Sequence, residues 1–210
     1  MSNFRQHYNI TMFNTDQEVW WGAHEQDLWI FDKLLLSARL GYDCGPVGVD
    51  VQHPGEYVIR PCVNTLGMGR GARIEYIEDE TDRLGLGYFW CEKFEGRHLS
   101  VDYYYQQQEL TVEGIRSKDK PLWMWDKWVK VDDEMPFPEF LKDLKGDYEY
   151  INVEYIEDKV IEVHLRPNPD WADHDSDEVV PVYFGDLPRQ EGYRYEPAPE
   201  HIRKGFLIKE

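Results

Sequence analysis

The residues best suited to chemistry lie in Val153-Glu154-Tyr155-Ile156-Glu157-Asp158-Lys159-Val160-Ile161-Glu162-Val163-His164-Leu165-Arg166. Its alternation predicts a β-hairpin, and the register decides which side chains share a face, because a slip of one residue reverses every one of them. A three-residue loop of Glu157, Asp158 and Lys159 sets Ile156 opposite Val160, Glu154 opposite Glu162 and Asn152 opposite His164. Val153, Tyr155, Ile161 and Val163 then form an apolar face suited to a core. A two-residue loop would set Glu154 opposite Ile161 and mix the faces. Two carboxylates directly across a ladder repel unless something positive lies between them. A hard cation such as Mg2+, with its preference for oxygen, would fit there. A solvent-facing polar side of a sheet is the other reading.

Gly67-Met68-Gly69-Arg70-Gly71 lies between two predicted strands, Glu56–Arg60 and Arg73–Ile77. Small residues there let backbone N–H groups approach an anion, although glycine-rich hairpin loops are common without one. The segment matches neither the Walker A pattern nor a strand-to-helix dinucleotide fingerprint. Arg60, at the end of its strand, has the reach to meet a phosphate or to make a surface salt bridge. Glu92-Lys93-Phe94-Glu95-Gly96-Arg97-His98 joins two more predicted strands. Such a linker can offer backbone groups to the edge of a purine with Phe94 beside the ring, or serve as a plain turn.

The elements that would position these groups follow from local pattern. Residues 26–41 read as one helix closed by Gly41. Tyr88–Glu92, His98–Tyr105 and Glu109–Glu113 read as strands of an antiparallel sheet, and Pro138–Gly146 as a short helix with Pro at its start and Gly at its end. After Arg166 the chain is rich in Pro, Asp and Glu and is expected to wrap the surface. Trp123-Met124-Trp125-Asp126-Lys127-Trp128 is either a stacking platform or, the favoured reading, a packed strand or lid face. Asp173–Glu178 mimics a calcium loop but has Glu178 where the turn needs Gly, which excludes an EF-hand.

These pieces, in this order, resemble the ATP-grasp family of ATP-dependent carboxylate–amine ligases. Asp32-Lys33-Leu34, Arg60-Pro61 before the glycine loop, Glu92-Lys93-Phe94 with Gly96, and Val153-Glu154-Tyr155 followed by Ile161-Glu162-Val163-His164-Leu165-Arg166 carry the resemblance, which spans 31–168. It implies an α+β fold of antiparallel sheets and flanking helices with the nucleotide held between two sheets. It further implies ATP with Mg2+, an acyl-phosphate intermediate, and attack on it by an amine. Lys33 and Arg60 would hold phosphates, and Gly67, Gly69, Arg70 and Gly71 would cover them. Glu92, Lys93 and Phe94 would line the adenine site. Glu154 and Glu162, with His164 and Asn152, would ligate metal, while Arg166 and Arg60 would stabilise transferring phosphate.

The sequence departs from the family pattern at three places. Arg60 stands for a lysine, His98 for an acidic residue on the ribose, and His164 for a metal-binding Asn. Imidazole is a poor Mg2+ ligand, which leaves Asn152 to supply an amide oxygen, or Mn2+ to be tolerated, or catalysis to be weakened. The division expected is a 1–25 segment in place of the usual N-terminal domain, a 26–168 core and a 169–210 tail packed on it. Carboxylate and amine substrates or a peptide, and a protein partner or second copy, are the partners implied. Two rival functions remain, a nucleotide-binding module without ligase chemistry and a structural protein.

Composition narrows the field. Forty-one acidic against 23 basic residues give a net charge of −18, which repels nucleic acid. The 31 aromatic residues exclude a disordered chain. No stretch approaches a membrane span or a signal peptide. The three cysteines, Cys44, Cys62 and Cys91, have no metal-ligand or paired spacing, so free thiols in the cytoplasm are expected.

Overall fold

In the computed structural model, residues 16–63, 69–171, 174–183, 190–198 and 203–210 are described. Gly67 and Met68 of the glycine loop, and Asp173 of the acidic loop, lie outside them. The described strands form two antiparallel sheets. The smaller contains β1 (Cys44–Pro46), β2 (Gly55–Pro61), β3 (Arg73–Ile77) and β4 (Tyr88–Glu92) in the order β1-β4-β2-β3. The larger is built from β5 (His98–Tyr104), β6 (Gln107–Ile115), β7 (Lys127–Lys130), β8 (Tyr150–Ile156), β9 (Lys159–His164), β10 (Glu178–Val182), β11 (Tyr193–Pro197) and β12 (Gly205–Lys209). Its order is β11-β12-β10-β7-β6-β5-β8-β9.

The alternation of β5, β8 and β9 sends Leu99, Val101, Tyr103, Val153, Tyr155, Val160 and Val163 to one face. There they bury against Val19 of α1 (Asp16–Gly22), Ile30, Phe31, Leu36 of α2 (Lys33–Arg39), and Leu141. A second cluster, Val112, Trp125, Trp128, Trp171, Val179, Phe206 and Ile208, lies over β6, β7, β10 and β12. The smaller sheet packs Tyr57, Ile59, Ile77 and Trp90 on Val51 and Leu84. Burial of this many large apolar side chains is the dominant stabilising term of the fold.

The expected helix over 26–41 is divided. Glu25–Phe31 is 3-10, α2 begins at Lys33, and between them Asp32 is extended. Tertiary pairing overrides local propensity at Asp32, which bridges Val63 while its carboxylate accepts from the Leu35 N–H at 3.0 Å and caps α2. Gly41, φ +75, ends the helical run as its position predicts. The short helix expected over 138–146 is only a 3-10 turn, Glu139–Leu141. The Lys145 and Gly146 N–H groups instead donate to the buried carboxylate of Asp27.

The segment after Arg166, expected as a surface wrap, supplies β10, β11 and β12 to the large sheet itself. Val179, Val182, Phe206 and Ile208 are buried there. Among the described residues no helix is long and apolar enough to cross a membrane.

Candidate functional site

The two sheets face each other across a cleft of about 700 Å³. Its walls follow from strand alternation. On β2, Tyr57 and Ile59 enter the small-sheet core, so Val58 and Arg60 face the cleft; on β5 and β8, His98, Glu154 and Ile156 do the same from the other side.

The hairpin that carries the carboxylates has the expected pairing at the site and a different turn. Asn152 pairs with His164, Val153 with Val163 and Glu154 with Glu162, but Tyr155 pairs with Val160 and Ile156 with Lys159. The loop is therefore the two residues Glu157 and Asp158, and Ile161 is an extra residue in β9. This bulge restores the register that a plain two-residue turn would have shifted. It exchanges Ile161 for Val160 on the core face, so Ile161 lines the cleft. The same bulge leaves the Ile161 carbonyl outside the ladder, where the Arg60 guanidinium donates to it at 2.5 Å and ties the two sheets together.

Lys33 is set in the angle between the sheets. Its N–H donates to the Cys62 carbonyl at 2.8 Å, and its ammonium lies 2.5 Å from Glu162 Oε1. Glu162 Oε2 is 4.0 Å from the Arg60 guanidinium. Glu154 Oε2 is 3.1 Å from His98 Nε2, and Glu154 Oε1 is 3.7 Å from His164 Nε2, which is also 3.4 Å from Glu162 Oε1. The other ring nitrogen of His164 is 2.9 Å from the carboxylate of Asp16, which Arg166 also holds at 2.9 and 3.0 Å.

Electrostatics follow from these contacts. Burial alone would raise Asp16, yet Arg166 and His164 outweigh it and hold this carboxyl well below the usual carboxylate range. Burial likewise opposes charge on His164, but Asp16 and Glu162 push it up to about 9. Glu154 is held well below its usual range, because bonds to His164 and His98 overcome its desolvation. Beneath them Asp102, raised to about 7 by burial, accepts from the Asn152 amide and the Asn168 N–H.

Of the residues expected at a nucleotide site, Lys33, Arg60, Gly69, Arg70, Glu92, Lys93, Phe94, His98, Glu154, Glu162, His164 and Arg166 all line this one cleft. Gly71 lies outside the lining and packs on the Tyr88 ring. Lys93 pairs with Glu56 and Glu95 toward solvent, and Phe94 meets Tyr42 edge-on at 4.8 Å. His98, expected near a ribose, is held between Glu154 and Trp125, whose ring centroid is 4.5 Å away. Gly96, φ +134, lies so close to Glu157 that a Cβ would collide with it; the Glu157 carboxylate accepts from the Arg97 N–H and fixes the linker to the hairpin tip.

The expected metal set is divided by this geometry: Glu154, Glu162 and His164 line the cleft. Asn152 is turned beneath the floor, its amide donating to Ser100, Val101 and Asp102, and does not line the cleft. Among the described residues no group of three or more His, Cys, Asp or Glu is arranged to hold a metal ion. The donors also fail on chemistry. Mg2+ requires free oxygen ligands in near-octahedral array, whereas Glu154 and Glu162 are each already engaged by nitrogen cations.

Sequence reasoning missed Asp16, Arg116, Asp170 and Arg203, all of which line the cleft. The Asp170 carboxylate accepts from Trp128 Nε1 at 3.0 Å and pairs with Arg203 at 2.6 Å. Asp16 acts 148 residues from His164, and no local spacing signals such a contact. Trp125 and Trp128 are buried as the packed-face reading has it, while also closing one end of the cleft. Arg70 lies 5.3 Å from the Trp123 ring centroid, linking the end of the glycine loop to that wall.

No family model matches the chain, and no curated protein is detectably similar in sequence. Among solved structures, an L-amino acid ligase from Bacillus licheniformis is similar over 86% of this chain and 66% of its own, with a TM-score of 0.54 and 11% identity. An ATP-grasp superfamily protein from Archaeoglobus fulgidus gives 0.48 and 14% over 86% of this chain and 64% of its own. A D-alanine–D-alanine ligase from Bacillus anthracis, in complex with ATP, gives 0.41 and 16% over 69% and 58%. The chain spans under two thirds of the length of each. The fold is α+β, with two antiparallel sheets and flanking helices, and is similar to that of the L-amino acid ligase.

Proposed function

We propose that the cleft between the sheets binds ATP, and that the chain is a nucleotide-binding module working within a larger assembly. One observation carries this reading. Eight of the chain's 23 Lys and Arg line the cleft against six of its 41 Asp and Glu, so the sign of the chain's charge is reversed locally. Such a cleft concentrates a polyanion despite the overall −18. Arg60, Lys33 and Arg166 would meet phosphates, and Val58, Phe94, Ile156 and Ile161 would enclose the base. Titration of ATP, followed by the emission of the cleft tryptophans and by calorimetry, tests the reading. Saturable binding supports it, and no binding contradicts it.

A second reading, an ATP-dependent ligase joining a carboxylate to an amine or peptide, is favoured by the length of the cleft. It continues past the carboxylates to Asn168, Asp170, Arg203 and Trp125, where a second ligand would have room. Arg166 would then stabilise the acyl phosphate. ADP release in the presence of carboxylate and amine pools separates the readings. The three thiols, none in a disulfide, suit a cytoplasmic setting.

A further inference from the structure

We infer that Lys33 and His164 act as resident cations in the place of a bridging divalent ion, so that the cleft takes its polyphosphate free of metal. The ligand class rests on the proposed nucleotide reading; the engagement of the carboxylates does not.

Each of the four carboxylate oxygens of Glu154 and Glu162 faces a nitrogen cation or an imidazole nitrogen. Glu162 Oε1 has Lys33 at 2.5 Å and His164 at 3.4 Å, and its Oε2 has Arg60 at 4.0 Å. Glu154 Oε1 has His164 at 3.7 Å and its Oε2 has His98 at 3.1 Å. Lys33 and His164 are both buried, and Asp16 fixes the imidazole from behind at 2.9 Å. A metal ion would have to displace one of these groups, leaving a buried charge without its partner, which is far more costly than the pair itself is stabilising. Of the neighbouring oxygen donors, Asn152 lies outside the cleft lining with its amide nitrogen bonded to Ser100 and Asp102, Asn168 Oδ1 accepts from the Asp170 N–H, and the Asp170 carboxylate is paired with Arg203.

The consequence for the ligand is one of charge. A nucleoside triphosphate complexed with Mg2+ brings its own cation, suited to an open pair of carboxylates. Where those carboxylates are engaged and Arg60, Arg166 and Arg116 stand in the same cleft, the free polyanion is the better electrostatic match.

Two measurements on the full chain test this. Calorimetric titration with ATP is expected to give a Kd in EDTA equal to or tighter than that in excess Mg2+, within about threefold; ATP binding at least about tenfold tighter with Mg2+ would overturn it. Mn2+ binding without nucleotide, read by electron paramagnetic resonance, is expected to be the same in wild type, Glu154→Gln and Glu162→Gln. Loss of a bound Mn2+ in either variant would overturn the inference. Should ATP bind in neither buffer, the nucleotide reading fails and the Mn2+ comparison still decides whether the carboxylates take a metal.

Discussion

The Lys33 ammonium lies 2.5 Å from Glu162 Oε1, joining the first residue of α2 to β9. Because the Lys33 N–H is also bonded to Cys62 at the exit of β2, this one residue couples the helical layer, the small sheet and the large sheet. Both side chains are largely withdrawn from solvent, so the pair belongs to the regime in which removing one partner costs more than removing both.

Lys33→Met is therefore expected to lower stability by about 3 kcal/mol, and Lys33→Met with Glu162→Leu to recover more than half of that. Urea unfolding of the two variants and wild type measures it. A single variant within about 0.5 kcal/mol of wild type would mean that the pair behaves like an exposed one.

His164 makes stability pH-dependent. Its value is raised in the fold to about 9, above the roughly 6.5 of an unfolded histidine. Its contribution is therefore fully present below about pH 6.5 and is lost as pH rises through about 9, on the order of 3 kcal/mol across that window. Urea unfolding between pH 6 and 9.5 is expected to show this fall in wild type and a flatter profile in His164→Asn. Equal slopes would place the titration elsewhere.

Arg60 and Lys93 both line the cleft, but only Arg60 has its guanidinium at the floor, while Lys93 turns to Glu56 and Glu95. Arg60→Ala is expected to weaken ATP binding at least about tenfold and Lys93→Ala less than about threefold, with folding of each checked by circular dichroism. Binding should also weaken with added salt, as a charge-led association does.

The C-terminal strands offer a steric test. A Cβ at Gly205 would collide with the Glu196 carbonyl oxygen across the β11–β12 pair, and a backbone atom cannot move aside cheaply. Gly205→Ala is expected to cost about 1–3 kcal/mol and to expose 190–198 to limited proteolysis. Unchanged protection would show that β11 can shift to accommodate the methyl.

What was legible in the sequence was local. Period-two alternation located β2, β3, β4, β5, β6 and the carboxylate hairpin, and the opposition of Glu154 and Glu162 followed from it. The route to that opposition is different, because a bulge at Ile161 has no sequence signature: a two-residue turn with the bulge and a three-residue turn without it both set Val163 opposite Val153. The helical pattern over 26–41 is interrupted where a tertiary bridge from Asp32 to Val63 overrides good helix formers. Composition concealed the C-terminal strands, since Pro, Asp and Glu between them outweighed the short apolar runs at Val179–Val182 and Phe206–Ile208. Asp16 and Arg203 reach the site only through the fold, and their partners lie too far along the chain for spacing to reveal them.

Hydrogen exchange of the full chain with and without ATP tests the central claim most directly, because a nucleotide held between the sheets must touch both walls. The prediction is added protection at 91–97 on the linker side and at 159–164 on the bulged strand, with β11 unchanged. Protection confined to one sheet, or located away from these segments, would contradict the claim that the cleft is the nucleotide site.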